Sequence, residues 1–571
     1  MLRTKKYMTL LASLIAISLS FCNCTDPADV SPEIDLSFQE ITFNGGANNN
    51  VLIIETNIEW EATVSETWCT LGVTTGSKGV TQIKLSVTPN PTVSTRKATI
   101  TFKAGTLTKE VIINQKASDL ITFSQDKFSV AAAGAEISLT TQSSASSYTY
   151  TKPEWITIKS ESAENNARVS IFSVVENNSI LARTGLIIFT AGSFKDTVTV
   201  EQTGKDLYIA PNATGMGSTA LTLAKKMYTG WNIGNTLEVP GGETGWGNPQ
   251  VTQTLIDSIK AAGFNAVRIP CAWDSHIDDV NTYKINDAWL ARVKEVVNYC
   301  YNNNMYVIIN IHWDGGWLEN NPTYAKQAAI NKKQKALWEQ IAAYFRDFDE
   351  HLLFAGTNEV HADYNTPTTE NITVQQSFNQ TFVDAVRSTG GRNHYRNLIV
   401  QSYNTNIDYA VTYLKLPTDV VSDRMMVEIH YYDPWDFCGD DTSSAKYFWG
   451  QPYSALGVSS WGQEAHVDQQ FGKMKTNFVN NGYPVILGEY APTRRSALTG
   501  STLTNHLASR AYYLQYVTKQ AKNYGLVPFY WDNGGTGNNA SGIFDRPTNT
   551  TFDRQALKGI MTGAASGNYP Y

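Results

Sequence analysis

Two glutamates stand where apolar runs give way to polar residues. Glu359 lies in GTNEV (356–360), and Glu489 follows Val485-Ile486-Leu487-Gly488 in PVILGEYAP (484–492). A carboxylate at the end of a buried run is costly unless it reaches solvent, finds a partner or is used. Other polar and aromatic groups share that address. Arg268 lies in AVRIP, His312 and Trp313 end NIHW, and Asn358 precedes Glu359. His430, Tyr431 and Tyr432 end EIHYY, and Trp531 lies in YWDNG. Facing carboxylates can divide acid and base roles, because environment pushes their pKa values apart. A cation beside a carboxylate lowers its pKa, and apolar surroundings raise it. Taken alone, Glu359 could be a helix cap after a strand and Glu489 a solvated strand end. Together with Arg268, His312, His430, Tyr432 and Trp531 they read as one site. Neither HExxH nor an EF-hand loop accompanies them, so no metal and no cofactor is expected.

The elements that must carry these residues alternate. Apolar runs MYTGWNIG, NAVRIPCA, YVIINIHW, HLLFAGTN, NLIVQSY, MMVEIHYY, PVILGEY and VPFYWDN are separated by helical patterns. INDAWLARVKEVVNYCYNN and HLASRAYYLQYVTKQAKNYG are the clearest helices; IDYAVTYL and DRQALKGIM are weaker. Gly263, Asn304, Gly482 and Gly525 each stop a helix in front of an apolar residue, the left-handed cap that turns the chain into the next strand. Eight alternations fit a (β/α)8 barrel over 206–571, with a doubly wound sheet as the alternative. In a barrel the chemistry sits at the C-terminal strand ends, where these residues fall. A pair of carboxylates held about 5–5.5 Å apart there is the arrangement of retaining glycosidases. Tryptophan floors suit sugars, whose C–H faces pack on an aromatic plane. Trp246, Trp317 and Trp435 follow strand ends on loops, as sugar platforms or as loop packing. His276, His351, His361, His394, His466 and His506 lack a strand-end address and read as surface or structural.

GTNEV and ILGEY resemble the acid/base and nucleophile motifs of glycoside hydrolase clan A. GWNIGNTLE, AVRIP, NIHWDGGW, EIHYYDPW and YWDNG narrow the resemblance to family five, the cellulase-type endoglucanases, in a branch with endo-β-1,4-glucanases and xyloglucanases. It implies Glu359 as acid/base and Glu489 as nucleophile, with Asn358 on the sugar's 2-hydroxyl. It also implies that Arg268 and Tyr432 orient Glu489, that His312 and His430 bind substrate, and that Trp531 is the stacking floor. The implied activity is retaining, endo-acting hydrolysis of β-1,4-glucans: cellulose, mixed-linkage glucan or xyloglucan. Mannan and xylan backbones remain alternatives, as does a surface glycan-binding protein with a non-catalytic barrel.

Residues 33–205 differ in character. They are rich in Thr, Ser, Val and Ile in period-two runs such as KATITFKAG and TGLIIFTAG, and they repeat. Trp68 and Trp155, Asn90 and Asn177, Arg96 and Arg183, Phe102 and Phe189, and Gln115 and Gln202 all share one offset in the sequence. The reading is two tandem β-sandwiches, 33–117 and 118–205. Their pattern resembles the immunoglobulin-like BACON family, which is found beside glycoside hydrolases and has been suggested to bind carbohydrate. The repeated tryptophans are expected in the cores and the domains to act as spacers.

The stretch from Met1 to Phe21 has the form of an export signal, with Arg3, Lys5 and Lys6 before an apolar run. Leu19-Ser20-Phe21-Cys22 resembles a bacterial lipobox. Cys22, or else Cys24, is then the lipid anchor, 22–32 a linker, and the cell surface at the outer membrane the location. Of six cysteines, Cys69, Cys271, Cys300 and Cys438 are scattered and none forms CxxC. The 571-residue chain is 42% hydrophobic and 17% charged with a net charge of −7. That balance disfavours nucleic acid and anionic lipid surfaces as partners. A monomer acting on β-glucan polysaccharide is the expectation.

Overall fold

The computed structural model describes residues 31–571, apart from 93, 118–120, 144–146, 165–166 and 192–193. The export signal, Cys22 and Cys24 lie outside the described residues. Two compact units result, one made chiefly of the N-terminal sheets and the other holding the barrel.

In the first sandwich a four-stranded sheet centred on Asn48–Thr56 and Gly79–Val87 faces a five-stranded sheet centred on Leu107–Gln115 and Arg96–Ala104. Alternate residues Leu52, Ile54, Ile83 and Leu85 meet Ile100, Phe102, Val111 and Ile113 between them. The second sandwich packs Leu139 and Phe172 against Ile187, Phe189 and Val198 in the same manner. The repeated polar residues form a clasp in each copy. Arg96 Nε donates to Gln115 Oε1 at 2.9 Å and Arg183 Nε to Gln202 Oε1 at 2.8 Å. Asn90 and Asn177 donate to equivalent carbonyls, those of Ser94 and Lys116 and those of Leu181 and Thr203. The tryptophans depart from expectation. Trp68 and Trp155 are only partly buried at the edge of each core, and the buried tryptophan of the first sandwich is Trp60. In the first sandwich the Arg96 guanidinium lies over the Trp68 ring, 4.2 Å from the centroid.

The barrel strands are β1 (Gly230–Ile233), β2 (Ala266–Ile269), β3 (Tyr306–Asn310), β4 (Leu352–Ala355), β5 (Leu398–Gln401), β6 (Met425–His430), β7 (Val485–Tyr490) and β8 (Leu526–Asp532). They are parallel and close in sequence order, β8 pairing with β1, which excludes an open doubly wound sheet. Helices follow in turn: α1 (Gln253–Ala261), α2 (Asp287–Asn302), α3 (Tyr324–Tyr344), α4 (Thr369–Arg387), α5 (Ile407–Tyr413), α6 (Glu464–Asn477), α7 (Gly500–Tyr524) and α8 (Arg554–Ser566). The caps expected at Gly263, Asn304, Gly482 and Gly525 all have positive φ.

Strand alternation sorts the side chains. Val485 and Leu487 face the helices, whereas Ile486 joins Ala266, Ile308, Leu353, Ile399, Met426 and Val527 inside the barrel. The short helix Ala220–Lys226 adds Leu223 and Ala224 to that inner cluster. One layer further along the strands the interior becomes polar. Asn232, Arg268, Asn310, Gln401 and Glu428 all point in and are fully buried.

Candidate active site

Glu489 reaches the mouth by way of a bulge. β6 and β7 pair Ile429 with Leu487 and then His430 with Glu489, so Gly488 is the extra residue. A Cβ at Gly488 would collide with Glu428 Oε1, so only glycine fits above that carboxylate. This accounts for the Gly-Glu pair that ends the apolar run. Glu359 arrives differently. β4 ends at Ala355, and Asn358 and Glu359 sit on the loop beyond it.

Arg268 organises the layer beneath. Its Nη1 donates to Glu489 Oε1 at 2.9 Å and to Asn232 Oδ1 at 3.1 Å, and its Nη2 to Asn358 Oδ1 at 2.9 Å. Its Nε lies 2.9 Å from Glu428 Oε1 but off the hydrogen-bond axis, so charge holds that pair. Asn232 Nδ2 in turn donates to the carbonyl of Gly488 at 2.9 Å. The hydroxyl of Tyr432 donates to Glu489 Oε2 at 2.9 Å. Both carboxylate oxygens of Glu489 are thereby fixed. Glu359 is the more open carboxylate, its side chain 30% exposed against 7% for Glu489.

His430 lies between three carboxylates. Its Nδ1 is 2.6 Å from Glu359 Oε1 and 3.7 Å from Glu489 Oε2, and its Nε2 is 3.3 Å from Glu428 Oε1. With Glu359 and Glu428 ionised, both ring nitrogens donate and the ring is an imidazolium. Burial alone would lower its pKa; the charges and hydrogen bonds of Glu489, Glu359 and Glu428 outweigh it and raise the pKa to about 10. Burial presses Glu359 upward, but the His430 bond and charge win and its pKa is lowered. Glu489 is raised by burial and by Glu359, against the pull of His430 and Arg268. Two cations thus face three carboxylates, of which Glu359 and Glu489 titrate as a pair.

His312 has the opposite charge state. Burial, then Arg268 and His430, hold its pKa well below the usual range, so the ring is neutral. Asn310 Oδ1 accepts from the Cys271 N–H, which leaves Asn310 Nδ2 to donate to His312 Nδ1 at 3.2 Å. The ring proton is therefore on Nε2. His312 stacks on Trp531, the planes 6° apart and the centroids 5.8 Å.

His312, Asn358, Glu359, His430, Tyr432, Glu489 and Trp531 line one open cleft of about 1070 Å³. Arg268 lies behind it, fully buried. Trp313 and the exposed Trp435 line the same cleft, and Trp246 lies 6.4 Å from Trp313. Trp317 instead donates from Nε1 to Asp314 Oδ2 and packs on the core. His361, expected at the surface or in a structural role, also lines the cleft and bonds the carbonyl of Glu359. Sequence reasoning passed over Asn232, Glu319 and Glu428. Glu428 carried a signal: it stands two residues before His430, hence on the same face of one strand. Glu359, His430 and Glu489 present ligand-type atoms within 4.8 Å of one another, yet Arg268 already occupies one face of that group.

Comparison with known proteins places these features in a family. The Cellulase (glycosyl hydrolase family 5) family matches residues 231–537, and the BACON family matches 59–116 and 142–203. The chain is 36% identical over 566 residues to a xyloglucan-specific endo-beta-1,4-glucanase of Bacteroides ovatus, covering 96% of this chain and 95% of that one. It is 40% identical to Endoglucanase A of Paenibacillus barcinonensis over 60% of this chain and 90% of that one. Among solved structures it is similar to the Bacteroides ovatus GH5 xyloglucanase in complex with an XXXG heptasaccharide (TM-score 0.61, 35% identity, 94% of this chain, all of that one). It is also similar to the family 5 xyloglucanase of Paenibacillus pabuli (TM-score 0.57, 41% identity, 60% of this chain, 99% of that one).

Proposed function

The chain belongs to glycosyl hydrolase family 5, the cellulase family, and from that premise we propose that it cuts internal β-1,4-glucosidic bonds of plant glucans with retention. The observation that carries the reading is the short gap between two carboxylates with different partners. An oxygen of Glu359 and one of Glu489 lie within 4.8 Å of each other. So close an approach favours the retaining separation over the wider spacing that admits a water between the carboxyls of inverting enzymes.

Glu489, fixed by Arg268 and Tyr432, attacks the anomeric carbon and forms a glycosyl ester as the leaving oxygen takes a proton from Glu359. That proton is supplied within the cluster. Moving it from His430 Nδ1 to Glu359 Oε1, along a 2.6 Å contact, leaves the total charge unchanged. While Glu489 is an ester its charge no longer draws a proton back to His430, which stays neutral; Glu359, now a carboxylate, takes the proton of the attacking water and returns it to His430 Nδ1 once Glu489 is a carboxylate again. His312 offers an N–H and Trp531 a flat face to the sugar. The open cleft with Trp313 and Trp435 along it suits the middle of a polymer rather than its end.

Xyloglucan is the first candidate substrate, because it is the substrate class in the names of relatives that span nearly the whole chain or nearly all of the barrel. Release of reducing ends from a set of purified polysaccharides tests this. Rapid release from xyloglucan or mixed-linkage glucan, with oligosaccharides of several lengths appearing first, is expected. Turnover confined to mannan or xylan would transfer the reading to those backbones, and inertness on all would make the barrel a binding module.

A further inference from the structure

Glu319 follows β3 in the stretch GWLEN, is 4% exposed, and borders the cleft. Its Oε2 accepts the backbone N–H of Glu359 at 3.0 Å and Nδ2 of Asn358 at 3.1 Å. Its own carbonyl accepts the N–H of His361 at 2.9 Å. One residue thus pins 358, 359 and 361. Beyond Ala355 the loop is held by side chains: Gln401 accepts the Thr357 N–H, Arg268 donates to Asn358, and the Glu319 bonds fix the backbone from which the Glu359 carboxyl projects.

We propose that Glu319 is a positioning residue for the proton transfers of Glu359: in its neutral form it fixes the Asn358–Glu359 loop and gives Glu359 an uncharged neighbour as that carboxyl parts with its proton. The inference rests on the proposed function above. Both hydrogen bonds fall on Oε2, so a proton on Oε1 interferes with neither. Burial, and then the charge of Glu359, raise the Glu319 carboxyl to about 8, and Glu489 adds to the effect. Tyr364 and His361 also face this corner, and Arg268 reaches it only through Asn358. An ionised Glu319 would set a second negative charge beside the carboxylate that Glu359 becomes, and would slow bond cleavage.

The test uses the full chain, with xyloglucan or the best glucan substrate and an aryl β-cellobioside whose leaving group needs no proton. Glu319→Ala should lose about 10- to 100-fold in kcat/KM on the polysaccharide, part of what general-acid catalysis contributes, and change little on the aryl substrate. Glu319→Gln keeps the acceptor oxygen and cannot ionise, so it should stay within about threefold of wild type near pH 6. Its alkaline limb of kcat/KM should move to higher pH. Glu319→Gln decides the matter if the alanine variant does not fold. Equal losses on the two substrates, or an alkaline limb of Glu319→Gln that coincides with that of wild type, would overturn the inference while leaving the proposed function standing. A wild-type chain inert on every β-glucan would overturn both.

Discussion

In the first sandwich, buried polar side chains end on backbone. Gln115 Nε2 donates to the carbonyls of Gly46 and Thr88 at 3.0 and 2.9 Å, and its Oε1 takes the Arg96 Nε–H. In the barrel the chain of bonds through Asn232, Arg268, Glu428 and His430 ends instead on carboxylate oxygens that open on a cleft. Both regions set an arginine against a buried acceptor. The first closes on itself, which serves a fold. The second stops one bond short, at atoms held in place but left for a visitor. A buried polar group is therefore informative through where its last bond goes, more than through its burial.

The contrast predicts effects that fall away from the barrel mouth outward. Glu489→Ala should abolish turnover of every substrate. Glu359→Ala should lose about 10²–10⁴-fold on polysaccharide, the span of general acid–base catalysis, while still forming the intermediate from an activated aryl glycoside. Added azide should then speed breakdown of that intermediate. Identical behaviour of the two variants on the activated substrate would erase the assignment of roles.

One step behind, Glu428→Gln removes a charge that touches no substrate. The His430 ring should then give up its proton at lower pH than the value of about 10 in the wild type, because one of the carboxylates that raise it is gone. Titration by nitrogen NMR reads this directly. Turnover should fall about 10²-fold, the loss that misplacing a catalytic group by an ångström can produce. An unshifted His430 titration would show that Glu428 does not govern the ring.

The smallest catalytic effect belongs to the sandwich. Arg96→Ala leaves the buried Gln115 oxygen without its donor, a loss of about 1–3 kcal/mol. Its melting temperature should drop while kcat and KM on glucan stay as in the wild type. A catalytic defect in that variant would break the separation drawn here.

The reach of the sequence follows the same line. The barrel was legible because its period, its strand-end residues and its four left-handed caps are local signals; each cap position has the backbone its residue type allows. Glu359, Glu489, His312, His430 and Trp531 were legible as residues sharing one end of eight strands, and the structure brings them into one cleft. Glu319 was not, and Glu428 only through its place two residues before His430, since their meaning lies in contacts between strands or loops far apart in sequence: Glu428 with Arg268, Glu319 with Glu359. Trp68 was misread as a core filler because repetition marks structural need without saying which one. Its ring serves as the plate under Arg96, and Trp60, which has no counterpart at the shared offset, fills the core.

The central claim is that Glu489 attacks the sugar and Glu359 serves first as acid and then as base across a short gap. Proton NMR of the anomeric region during the first moments of glucan hydrolysis tests it most directly. The account predicts that the newly formed reducing end appears as the β-anomer and only later equilibrates by mutarotation. An α-anomer appearing first would mean a single inversion, with water rather than Glu489 attacking the sugar, and would contradict it.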